Sequence, residues 1–365
     1  MSRNKALVVG ALGLVGRAVV EHLDSLADWE AVGLSRRKPD WDTPTPFLSV
    51  DLRDRAACDA AIGELRDVTH LVYTALYEAP QLGAGWSDPR HAEINLEMLR
   101  NVVEVLDEAS PGLRHITVLQ GTKAYGVHQG PSKTPARESD PRYLPPNFYY
   151  SQEDFLCERQ RSRRWTWTAL RPQLVCGFAL QSPNNGVAAL GVFAAICKEL
   201  GVPLRCPAGA NRILEATDAR LLARAVVWAG TTPECANEAY NITNGDVFVW
   251  SELWPRIAEF FGMEQGPPHP ISLEAVMADK GPVWERLQAR YGLRHSFGEL
   301  VSSWEFADML FASGSHPALG HGATTDSILV STIKARQHGF HDCIDTSEMF
   351  VEWLEEYQRR GALPE

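Results

Sequence analysis

Along the first half of the chain, short apolar runs alternate with stretches of helical periodicity. Ala6-Leu7-Val8-Val9 stops at Gly10, and the following segment, GRAVVEHLDSL, puts Val19, Val20, Leu23 and Leu26 on one helical face. That is a strand, a glycine turn and a helix. The alternation continues, with strands expected at 29–34, 47–50 and 70–73 and a helix over 56–65. A long amphipathic helix over 92–109 follows, then strands at 116–120 and 167–172. Alternation of this kind predicts a parallel sheet with helices on both faces, with roughly six or seven strands before residue 180.

After residue 180 the rhythm changes. Pro/Gly/Asn-rich connections at 182–186 and 202–211 separate long helical stretches such as 250–261 and 284–291. The expected fold is therefore α/β: a Rossmann-type doubly wound parallel sheet over 1–180, with a return segment at about 214–245. A smaller, mostly helical substrate lobe takes about 181–213 and 246–365, and a cleft is expected between the two. The cluster Trp250, Trp254, Phe260 and Phe261, at helical spacing, reads as packing.

Composition narrows the partners. The chain has 365 residues, 45% of them hydrophobic and 22% charged, which suits a folded protein with a large core and excludes disordered and fibrous classes. Thirty-five basic against 46 acidic side chains give a net charge of −11, which repels nucleic-acid phosphates and anionic lipid; neither partner is expected. The amino-terminal apolar run is far shorter than the ~20 residues that span a bilayer. The 7 cysteines, Cys58, Cys157, Cys176, Cys197, Cys206, Cys235 and Cys343, show no Cys-x-x-Cys pair. Free thiols, no metal site and a cytoplasmic location are the expectations.

Gly10-Ala11-Leu12-Gly13-Leu14-Val15-Gly16 is a G-x-x-G-x-x-G turn between strand and helix, where backbone amides and a helix N-terminus can approach a pyrophosphate. At the end of the second strand, where an acidic residue would favour NAD, stand Ser35-Arg36-Arg37. Guanidinium forks bind phosphate bidentately, so NADP(H) is the expected cofactor. Asp51 and Leu52 are placed for the adenine, and Thr74, Ala75 and Gln120 complete the expected cofactor-binding set.

The catalytic end is expected near Pro146-Asn147-Phe148-Tyr149-Tyr150, which opens a helix. Tyr150 and Asp154 occupy the frame of a Tyr-x-x-x-Lys signature in which the lysine is missing. A carboxylate there argues against unmodified carbonyl reduction and calls for a cation from elsewhere. Lys123, in Gln120-Gly121-Thr122-Lys123-Ala124-Tyr125 just after a strand, is the candidate.

These segments, with Leu170-Arg171-Pro172, the stretch 237–248 and the tail 331–340, resemble the progesterone 5β-reductase and iridoid synthase-like enone reductases of the extended short-chain dehydrogenase/reductase superfamily. The similarity spans nearly the whole chain. It implies that Tyr150 is the catalytic tyrosine and also contacts the cofactor, that Lys123 is its partner, and that Tyr149 takes the role if the alignment slips by one. It further implies that Pro172 and Val175 line the nicotinamide, and that the region 281–322 builds the pocket wall. The implied activity is NADPH-dependent 1,4-reduction of an enone, whether steroid-like, cyclic or a dialdehyde, and a homodimer is compatible with it. The rivals are a carbonyl reductase or nucleotide-sugar epimerase/dehydratase, which ordinarily needs the intact Tyr-x-x-x-Lys, and a non-catalytic NADP-sensing regulator.

Overall fold

The computed structural model describes residues 3–79, 85–86, 88–130, 132–209, 211–311 and 327–365. Its strands are β1 (Asn4–Val9), β2 (Trp29–Ser35), β3 (Phe47–Ser49), β4 (His70–Tyr73), β5 (His115–Leu119), β6 (Thr166–Pro172), β7 (Val175–Cys176), β8 (Thr217–Asp218) and β9 (Glu238–Ile242). Seven of them form one parallel sheet in the order β3-β2-β1-β4-β5-β6-β9, while β7 and β8 pair separately. The expected parallel α/β sheet is present, and β9, from the return segment, closes its far edge.

Both faces of the sheet are covered. Because side chains alternate along a strand, Ala6 and Val8 of β1 enter one core while Leu7 and Val9 enter the other. On the first face lie α1 (Leu14–Asp24) and, beyond the long helices, α6 (Ala219–Thr231), which pack on each other. On the second lie α2 (Arg55–Ile62), α3 (Pro89–Ala109) and α4 (Phe148–Gln160). Between α4 and α6 runs α5 (Gly186–Glu199), in which Gly186 to Cys197 are all buried. A helix apolar on every side needs neighbours all round. It finds them in the helical carboxyl-terminal lobe, where α7 (Trp250–Phe260) supplies Trp250 and Trp254 against Phe311. The aromatic cluster is packing, as its spacing implied. Cysteines 58, 157, 176, 197, 206, 235 and 343 are free thiols, with Cys157 and Cys343 exposed.

Candidate active site

The strand order reverses between β1 and β4, and in open α/β sheets ligands bind beyond the carboxyl ends of the strands at such a point. A cleft of about 600 Å³ opens there. Gly10, Gly13, Leu14, Val15, Ser35, Arg36, Arg37, Asp51, Leu52, Thr74, Ala75, Gln120, Lys123, Pro172 and Val175 all line it. Gly10 has φ +83°, and a Cβ on it would stand 2.7 Å from Thr74 Oγ1 and 2.8 Å from the Ala75 amide nitrogen. Only glycine lets the turn come this close to β4. Gly13 caps α1 with no side-chain hydrogen bond, which leaves the first-turn amides open to a phosphate. The residues present therefore fit a dinucleotide.

Gly16 departs from the expectation: it does not line the cleft. A Cβ there would stand 2.2 Å from the Gly10 carbonyl oxygen, so this glycine serves the packing of helix on turn. At the ribose end, Arg36 is exposed and no hydrogen-bond partner engages its side chain among the described residues, while Arg37 donates to the Leu180 carbonyl at 3.0 Å. Asp51 is gripped by Arg53 through bonds of 3.1 and 2.7 Å, which holds its carboxyl down at about 2.

At the catalytic end the two adjacent tyrosines part company. The Tyr150 hydroxyl donates to the Ala124 carbonyl at 2.7 Å and accepts from the Tyr143 amide at 2.9 Å. Tyr150 does not line the cleft; Tyr149 does. The placement expected of Tyr150 is corrected to its neighbour, because α4 turns the two side chains to different sides. Tyr149 Oη sits beside Gly121, 3.5 Å from where a Cβ there would stand, and burial raises its pKa far enough to keep the phenol protonated. Counted from Tyr149, the residue in the missing lysine's frame is Glu153 and not Asp154. Glu153 is buried and bonded to Arg171 at 2.6 Å, whereas Asp154 faces solvent on Arg142.

Several contacts that the sequence reading did not foresee fix this geometry. Asn147, the N-cap of α4, accepts from the Tyr149 amide at 3.0 Å and donates to the Lys123 carbonyl at 2.8 Å, tying the two candidate groups to one side chain. An Asn just before a helix was a legible capping signal. Gln120 donates to the Tyr149 carbonyl and accepts from Arg171 Nε at 3.0 Å, so the buried Arg171 braces the start of α4 against the end of β5. Lys123 Nζ lies 3.6 Å from the centroid of the Trp86 ring, which also packs on Tyr149 at 5.3 Å. Glu78 lines the same wall. Of the expected pocket wall at 281–322, Phe306 reaches the cleft, and 312–322 lie outside the described residues.

A family model, the PRISE-like Rossmann-fold domain, matches residues 51–308. The chain belongs to that family. PRISE-like relatives match it almost end to end: an (S)-8-oxocitronellyl enol synthase of Nepeta cataria is 34% identical over 98% of this chain and 93% of its own length. The 3-oxo-Delta(4,5)-steroid 5-beta-reductase of Arabidopsis thaliana is 32% identical over the same shares. The resemblance read from the sequence is borne out, and this PRISE-like chain is an oxidoreductase that acts on a small molecule. Among solved structures, the NAD complex of UDP-glucose 4-epimerase from Thermus thermophilus has a TM-score of 0.65 at 18% identity, covering 97% of this chain and 99% of that one. At that identity the likeness speaks for the shared fold.

Proposed function

We propose that this PRISE-like protein reduces the carbon–carbon double bond of an enone with NADPH and leaves the carbonyl in place. Bound NADPH supplies the hydride, delivered to the β-carbon. As hydride adds there, negative charge builds on the carbonyl oxygen. A protonated phenol held against Gly121 is a preorganised donor for that charge. Lys123 adds positive charge to the same wall, and Asn147 keeps the two in register. The Arg171 to Gln120 to Tyr149 brace spares the donor any reorganisation during the reaction.

One observation carries the reading. The cleft tyrosine and a cation from the β5 end line one cleft and both contact Trp86, while the tyrosine's own helix offers Glu153, which is locked on Arg171. The epimerase and carbonyl-reductase rivals lack the lysine they need in that position. Arg36 supports NADP(H) as the cofactor: it is exposed and lines the cleft at the end of β2, where an acidic residue would favour NAD. The test is product analysis after incubation with NADPH and a cyclic enone such as cyclohexenone or progesterone. The saturated ketone is expected, and an allylic alcohol would return the protein to ordinary 1,2-reduction.

A further inference from the structure

Lys123 is an unusual lysine. Its Nζ rests on the Trp86 face at 3.6 Å, and Trp86 is itself boxed by Phe148, Tyr149, His91 and His128. Yet the side chain lines the cleft and so can meet whatever enters it. Burial lowers its pKa to about 8, with Glu78 and then Glu305 opposing the shift. The other titratable groups facing it are neutral: burial, then Lys123 itself, lowers His128 to about 4, and burial keeps Tyr149 protonated. The Trp86 face favours the ammonium form and anchors it, but it does not replace the water that a lysine ordinarily keeps.

The same cleft holds a carboxylate whose charge acts on this amine. The Glu78 side chain is only 10% exposed; Oε1 accepts from Asn184 Nδ2 at 3.3 Å, and Oε2 has no hydrogen-bond partner among the described residues. Oε2 is 3.6 Å from His91 Nε2, a second buried polar atom with no hydrogen-bond partner among the described residues. A desolvated lysine on an aromatic face, in one cleft with a carboxylate, has the makings of an amine nucleophile.

We propose that Lys123 condenses reversibly with aldehydes that enter the cleft, forming a Schiff base at Nζ. The ammonium passes its extra proton through water in the cleft to Glu78, and the nitrogen lone pair forms a bond to the carbonyl carbon. One nitrogen proton moves to the carbonyl oxygen to give the carbinolamine. Glu78 then returns its proton to that hydroxyl, the C–O bond breaks, and the oxygen leaves as water. Ammonium and aldehyde have become iminium and water, with no change of oxidation state. With an α,β-unsaturated aldehyde, the cationic nitrogen is conjugated to the double bond and makes its β-carbon more electrophilic than in the free aldehyde. Ketones, more hindered at carbon, would use Lys123 as a charge alone.

The adduct needs no NADPH, so its test is separate from that of the reductase reading. The purified chain, with and without NADP⁺, is treated at pH 7.5 with hexanal and sodium cyanoborohydride, and the alkylated lysines are mapped by mass spectrometry. An amine titrating near 8 is neutral roughly two hundred times more often at this pH than an ordinary lysine, so even a buried Lys123 should be alkylated at least about tenfold faster than exposed Lys38 and Lys133. Labelling of Lys123 that rises as the pH passes through about 8 and then levels is expected from the same amine. Label on Lys123 no faster than on Lys38 in both conditions overturns the proposal. Enone turnover without Lys123 labelling sinks this inference alone, and labelling without turnover sinks the reductase reading alone.

Discussion

Replacing Tyr149 and Tyr150 separately by Phe tests whether the catalytic hydroxyl has been placed on the right residue. Each change removes one oxygen and keeps the ring. For Tyr149, the lost oxygen is the donor that faces the cleft at Gly121. Deleting one oxyanion donor costs about 3 kcal/mol of transition-state stabilisation, so turnover should fall by ~10²–10³-fold. NADPH binding should barely change, because no part of the glycine turn or of Ser35-Arg36-Arg37 is touched. For Tyr150, the lost oxygen strands the buried Ala124 carbonyl and the Tyr143 amide. That costs about 1–3 kcal/mol of folding stability, with turnover held to within roughly threefold. The assay pairs steady-state NADPH oxidation and cofactor titration with urea unfolding of both variants. A Tyr149→Phe protein with undiminished turnover, beside an inactive but folded Tyr150→Phe protein, would refute the assignment.

Arg36→Ala should weaken NADPH binding roughly tenfold to a hundredfold and NADH binding far less, since one charge-assisted fork is worth about 1.5–3 kcal/mol. Arg37→Ala should do less, because its guanidinium is engaged with the Leu180 carbonyl; parallel titrations of both cofactors decide. Gly10→Ala puts a methyl 2.7 Å from Thr74 Oγ1 in a positive-φ turn, so both nucleotides should bind poorly while the helical lobe stays folded; titration alongside circular dichroism checks it. Burial lowers His70 to about 4 and His115 to about 3, so below pH 6.5 the unfolded chain takes up protons that the fold refuses. Stability contributed by each should shrink by about 2 kcal/mol between pH 7 and pH 5, and His115→Asn should lose less over that interval in urea unfolding.

The parts of the molecule that periodicity and glycine chemistry control were legible before any coordinates. The run at 6–9, the positive-φ Gly10 and the face made by Val19, Val20 and Leu23 all come from local rules, and the structure keeps them. The same holds for Ser35-Arg36-Arg37 at the end of β2 and Lys123 after β5, because the carboxyl ends of parallel strands converge on one cleft. Trp86 and Glu78 carried no such signal. Their places in the site depend on tertiary packing, of Trp86 against Phe148 and of Glu78 against Asn184. Nor could the sequence show that Gly16 faces the Gly10 carbonyl and not a ligand, since both roles demand the same missing side chain.

The slip from Tyr149 to Tyr150 has a sharper physical cause. Neighbours on an α-helix point about 100° apart, so a pair of identical residues leaves the cleft-facing one undetermined until the helix is rotationally anchored. Here three bonds set the rotation: the Asn147 cap on the Tyr149 amide, Gln120 on the Tyr149 carbonyl, and Arg171 on Glu153 one turn later. The last explains why a carboxylate can stand where a short-chain dehydrogenase keeps its lysine. Once the cation is carried by the β5 end, the helix position is free to become a structural anchor, and an anion there mates with the buried Arg171. Restoring a lysine by Glu153→Lys would face Arg171 with a like charge in a buried site. That variant should therefore lose several kcal/mol of stability and its turnover together, and would not become a carbonyl reductase.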